Sequence, residues 1–163
     1  MRFFVKIFTF AFALALVQPA FAKKEDESYT KALAELSRER YTSTINLLTS
    51  YLSTNEQAPL AYYYRSIAEL KSGEAAMALG DIDVALQLIR KLPKDSKIRQ
   101  PEMLYQKAEC QQAIGQTDEA LASLAEAIAQ SPNYVNAYVL KARIMSENKD
   151  YAGADSTFGK ALS

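Results

Sequence analysis

Histidine is absent from all 163 residues, and cysteine occurs once, at Cys110. The commonest general base near neutral pH, which is also the commonest metal ligand, is therefore missing. One cysteine cannot build a cysteine-based zinc cluster. No glycine-rich phosphate cradle and no Gly-x-Ser-x-Gly turn occurs. Carboxylates that could serve as acid and base, such as Glu102 and Glu109, flank Tyr105 on one helical face. Glycoside cleavage needs two carboxylates across a cleft instead. The expectation is a non-enzymatic chain with no cofactor and no metal. Cys110 reads either as a thiol that pairs between chains or as a small buried helix residue, and the second is favoured because free cysteine is among the most buried types.

Charge offers two further candidates. The segment from Arg90 to Arg99 carries Arg90, Lys91, Lys94, Lys97 and Arg99 against Asp95 alone. It is either a basic lip for an acidic partner or a solvated helix end and loop, and charge runs are usually the latter. The chain start has a charged beginning, an apolar run from Ile7 to Val17 broken only by Thr9, and a small-x-small site at Ala20-Phe21-Ala22. That is the pattern of a secretory leader over residues 1–22, too short for a membrane span of about 20 residues. Its removal would take Arg2 and Lys6 from the 19 basic residues, leaving 17 against 19 acidic ones. A near-neutral chain lacks the basic footprint that nucleic-acid binding requires. The expected location is exported, periplasmic first and secreted second, with no stable membrane insertion after the leader is removed.

The elements that must position these groups follow from a comb of small residues. Ala78, Ile82 and Ala85 return as Ala120, Leu124 and Ala127, then 34 residues later as Ala154, Phe158 and Ala161; Thr44, Leu48 and Tyr51 precede them by 34. A second set, Ala32, Ser66, Ala108 and Ala142, runs 12 residues ahead of Thr44, Ala78, Ala120 and Ala154. Small residues at paired positions let antiparallel helices approach closely, and the four-then-three spacing keeps each set on one face. A fixed period of this size means stacked helical units. The chain divides into units 25–58, 59–92, 101–134 and 135–163, with an insert at 93–100. Gly73, Gly115 and Asn148 suit left-handed helix ends, and Thr117 and Asp150 suit helix N-caps. No stretch alternates with period two, so no sheet is expected.

The units resemble the tetratricopeptide repeat family, on Lys107-Ala108, Gly115, Asp118-Glu119-Ala120, Leu124, Ala127 and Pro132 in the third unit. The same places hold Tyr62, Arg65-Ser66, Gly73, Ala78, Ile82 and Ala85 in the second, and Tyr138, Lys141-Ala142, Tyr151, Ala154, Phe158 and Ala161 in the fourth. The resemblance implies an all-α, right-handed solenoid of four repeats and eight helices over residues 23–163. It also implies a concave groove lined by the first helix of each unit, which binds a protein or an extended peptide. The groove-facing series is then Asp26, Tyr29, Leu33 and Leu36; Leu60, Tyr63, Ile67 and Leu70; Glu102, Tyr105, Glu109 and Gln112; and Asn136, Val139, Arg143 and Ser146. Tyr29, Tyr63 and Tyr105 would form a ladder of aromatic rings, the residue type that dominates contact hot spots. The first half of the groove is apolar and the second half polar. Family members that grip acidic chaperone tails do so with Lys, Asn and Arg, and here Tyr29, Leu33, Tyr64, Glu102 and Gln106 stand in those places. The last helix buries little, which leaves a face for a homodimer. A self-associating structural protein and a module for an envelope glycan are the alternatives to a peptide-binding adaptor.

Overall fold

The computed structural model describes residues 19–93 and 100–161, with side chains from residue 27 onward. Most of the expected leader, and Lys94, Lys97 and Arg99 of the basic segment, lie outside the described residues. Eight helices follow one another among those described: α1 (Pro19–Ser37), α2 (Tyr41–Leu52), α3 (Pro59–Lys71), α4 (Ala75–Arg90), α5 (Gln100–Ala113), α6 (Thr117–Gln130), α7 (Val135–Glu147) and α8 (Tyr151–Ala161). No described helix is long and apolar enough to cross a membrane.

The comb residues are where helices meet. Ala32, Ser66, Ala108 and Ala142 on the first helix of each pair are fully buried, as are Thr44, Ala78 and Ala120 on the second, with Ala154 nearly so. Adjacent helices pack along the chain, and α1, α3, α5 and α7 also touch their successors. The second helices α2, α4, α6 and α8 do not touch one another. The first helices therefore form the inner, concave row. Large apolar side chains fill the spaces between pairs. Ile82, Leu86, Met103, Leu104, Leu124, Leu140 and Ile144 make one continuous core from α4 to α7. Leu48, Leu52, Ala32 and Ala61 make a smaller one at the start. Tyr62 packs against both. Phe158, the comb residue that corresponds to the buried Leu48, Ile82 and Leu124, is 41% exposed, and Tyr151 at 66% and Val135 at 49% are exposed as well. No described unit follows α8 to cover them.

Every first helix closes the same way. The amides of Arg40, Glu74, Gln116 and Asp150 return to the carbonyls of Glu35, Glu69, Gln111 and Met145 at 2.8–3.0 Å. This is the six-to-one closure that places the preceding residue in the left-handed region. Gly73 (φ +93°) and Gly115 (φ +80°) occupy that place as expected. In the fourth unit the left-handed residue is Lys149 (φ 65°), not Asn148, whose φ is −85°. The helix runs one residue further than its Asn suggested. Glu39 (φ 58°) does the same in the first unit. Asp150 caps α8, its Oδ1 accepting the Gly153 amide at 3.0 Å. Thr117 is the first residue of α6 and makes no cap bond; the cap position is Gln116.

Candidate functional site

Tyrosines gather on and beside the inner row of helices. The expected ladder of Tyr29, Tyr63 and Tyr105 is corrected in its connectivity: among the described residues the ring contacts fall into two groups, Tyr29, Tyr51, Tyr64 and Tyr63 in one and Tyr105 with Tyr134 in the other. Tyr29 lies 5.1 Å from Tyr51 and 6.4 Å from Tyr64, measured between ring centroids. Tyr64 lies 5.2 Å from Tyr63. Tyr105 meets Tyr134, at the entrance to α7, at 5.7 Å. Tyr64 of α3 therefore reaches Tyr29 of α1 directly, Tyr51 of α2 joins that group, and Tyr105 pairs with the loop ring of Tyr134. Tyr62 leaves the row and takes the Arg65 guanidinium over its ring at 5.5 Å.

All six rings are partly buried, with interplanar angles from 39° to 67° that present edges and clefts rather than flat faces. Burial pushes the hydroxyls of Tyr29, Tyr63, Tyr105 and Tyr134 up to about 12, reinforced by neighbouring tyrosines and, for the last three, by nearby glutamates. The hydroxyls therefore stay protonated and act as donors over the physiological range. Tyr105 donates to Glu109 Oε1 at 3.2 Å.

Of the other groove residues, Leu33, Leu36, Ile67 and Leu70 are partly buried and Leu60 is exposed, so the α1–α3 half is apolar as expected. Asp26 has no described side chain. In the α5–α7 half, Gln112 Nε2 donates to Glu147 Oε2 at 3.0 Å, and Arg143 lies 3.9 Å from Glu147. Tyr105, Asn136, Val139, Leu140 and Arg143 line a cleft of about 80 Å³. Arg90 ends α4 and Lys91 follows it, both exposed. Cys110 is fully buried, and desolvation pushes its thiol up to about 12, so it behaves as a packed core residue. No group of His, Cys, Asp or Glu side chains that could hold a metal ion occurs among the described residues.

Sequence reasoning missed Tyr51, Tyr64 and Tyr134 as members of the row. Tyr51 stood out as a large residue at a small-residue position, and that was the available signal. A polar knot behind the groove was missed as well. Arg65 donates from Nε and Nη2 to Asp81 at 2.5 and 2.8 Å, and from Nη1 to Thr49 at 3.1 Å. It ties α2, α3 and α4 together. Glu69, 2% exposed, sits 3.7 Å from Arg65 with its Oε2 lacking a hydrogen bond. Burial, then the negative Asp81, raise this carboxyl to about 7 against the opposing pull of Arg65.

An inner row of helices in register, backed by an outer row, defines a helix-turn-helix repeat solenoid that offers a concave surface. Residues 112–162 match the tetratricopeptide repeat family. Solved structures share its fold. MamA (41 to the end) from Desulfovibrio magneticus RS-1 has a TM-score of 0.76 at 13% identity, covering 85% of this chain and 73% of that one. YrrB, described as a TPR protein with an unusual peptide-binding site, has a TM-score of 0.72 at 18% identity over 86% of this chain and 69% of its own. The first TPR domain of Spaghetti (RPAP3), bound to the HSP90 peptide SRMEEVD, has a TM-score of 0.69 at 16% identity over 78% of this chain and 94% of its own. A search of curated protein sequences finds no match.

Proposed function

We propose that this chain is a non-enzymatic adaptor that holds a protein or an extended peptide in its concave groove, in the envelope of an exporting cell. The observation that carries the reading is the set of six half-buried tyrosines, four on the inner helices α1, α3 and α5 and two, Tyr51 and Tyr134, packed against them. Tyrosine supplies large contact area at low entropic cost, and a repeat stack is an extended binding surface by construction. The peptide-bound and peptide-binding relatives in fold support the same class. The envelope location is supported by the leader pattern at residues 1–22.

The ligand differs in chemistry from SRMEEVD. At the places where charged clamp residues would stand, Tyr64 packs edge-on to Tyr29 and tilted against Tyr63, and Gln106 is buried with its amide 3.4 Å from the Ser66 carbonyl. Glu102 would repel an acidic tail. The test is capture from an envelope extract. Tyr63→Ala and Tyr105→Ala should each reduce captured partner at least tenfold with unchanged far-ultraviolet circular dichroism, and undiminished capture removes the groove from the function. A second reading, self-association through Val135, Tyr151 and Phe158, rests on their exposure. It requires a dimer in sedimentation equilibrium at high concentration, and a monomer there refutes it.

A further inference from the structure

Four units in register allow each surface position to be compared with its equivalents, and the α7–α8 end differs from the rest. On each second helix, residues spaced four, three and four apart form one stripe. On α2 it is Tyr41, Ile45, Leu48 and Leu52; on α4, Ala75, Leu79, Ile82 and Leu86; on α6, Thr117, Leu121, Leu124 and Ile128. All of these are buried or partly buried. The next first helix packs on each, α3 on α2, α5 on α4 and α7 on α6. The same stripe on α8 begins Tyr151, Asp155 and Phe158, and all three are exposed. Beside it, Val135, Tyr138, Lys160 and Ala161 help to wall an open cleft of about 310 Å³.

We propose that this face docks a helix of a partner protein, one with apolar residues at positions i and i+7, a longer side chain at i+3, and a Lys or Arg set against Asp155. The proposal goes beyond the groove reading and does not depend on it.

The molecule holds three examples of what covers such a stripe. The first helices offer Ala61, Tyr64 and Ala68 on α3, Met103, Gln106 and Cys110 on α5, and Ala137, Leu140 and Ile144 on α7. All are buried except Tyr64, which is half-buried. Ala61 and Tyr64 pack with Leu48 and Leu52 of α2. Met103 shares a core with Ile82 and Leu86 of α4, as Ala137, Leu140 and Ile144 do with Leu124 and Ala127 of α6. The i, i+3, i+7 spacing is that of a helix laid into an apolar groove.

Charge separates a partner helix from a second copy. The corresponding face of α1 is Glu27, Thr30 and Ala34, exposed and polar at its first two places. The front of another copy therefore cannot fill the apolar end. Two α8 helices laid antiparallel with Tyr151 on Phe158 bring both Asp155 carboxylates to one level, where like charges repel. Asp155 itself stands where Ile45, Leu79 and Leu121 are half-buried in the other units. A cation on the incoming helix is its complement.

The test uses the full chain and a stapled, fluorescent helix copying residues 134–148, which carries Ala137, Leu140 and Ile144 with Lys141 and Arg143. Fluorescence anisotropy should show saturable binding. It should weaken at least tenfold with Phe158→Asp in the chain or Leu140→Asp in the peptide, and at least fivefold with Asp155→Lys. Circular dichroism checks that helix content is kept; where it is not, Phe158→Ala should still weaken binding at least threefold. Tyr63→Ala, in the groove, should bind the peptide as the parent does. Absence of saturation overturns the proposal. So does binding that survives Phe158→Asp or is lost with Tyr63→Ala, since the peptide then sits elsewhere. A dimer in sedimentation equilibrium that Phe158→Asp dissolves gives the face to a second copy and overturns it too. Each of these results leaves the groove reading standing.

Discussion

Glu69 makes the stability of this protein depend on pH in a window where such a chain should be silent. With no histidine, no imidazole titrates between pH 5 and 8. Glu69 does, because its carboxyl is buried on α3 and Arg65, its nearest cation, is already held by Asp81. The folded value is about 7 against an ordinary 4.5. A carboxyl raised on folding holds a proton that the unfolded chain has released, so its contribution is most favourable below about pH 4.5 and is lost as pH rises through about 7. At 1.36 kcal/mol per unit the full loss is at most about 3 kcal/mol. Glu69→Gln removes the titration and keeps the shape. Urea unfolding at pH 5 and pH 8 should show the variant gaining about 2–3 kcal/mol on the parent between those two values, or a difference of about 5–10 °C in thermal midpoint for a chain of this size. Equal differences from the parent at both pH values would refute the reasoning and show Glu69 ionised and well solvated in the fold.

The helix ends give opposite predictions for glycine. Lys149→Gly and Glu39→Gly should each stabilise by about 0.5–1 kcal/mol in denaturant melts, since both hold a left-handed backbone that costs an ordinary residue about that much. Gly153→Ala should destabilise by about 1 kcal/mol in denaturant melts although alanine is the better helix former, because a Cβ there would collide with the Asp150 carboxylate that caps α8 and with Met145. Cys110 should resist a thiol reagent in the native state and react with one equivalent in denaturant, a rate contrast of at least a hundredfold.

The fold was legible because its determinants are local and repeated. A small residue at the crossing and a left-handed residue two positions after each first helix, glycine in two of the four, are decided within one unit, as Ala108, Ala120 and Gly115 illustrate. The shift from Asn148 to Lys149 marks where that reading fails: the conformation is fixed by closure onto Met145, and side-chain preference yields to it. The places of Tyr29, Tyr63 and Tyr105 on the first helices were legible, since they follow from register. Tyr51, Tyr64 and Tyr134 were not, because ring packing across units depends on side-chain directions that spacing alone leaves open. The Arg65 knot joins residues 16 apart on different helices, and no periodicity announces it.

The two rows of helices differ in what holds them. Inner helices touch along the stack, and outer helices are joined only through them. The inner row is thus a pivot line and the outer row the free edge of a fan. A small change in spacing on the inside swings the far edge through a larger arc. Anything long enough to lie from α1 to α7 sets the curvature of the whole stack, so occupancy of the groove becomes readable on the opposite side of the molecule, at a surface the ligand never touches.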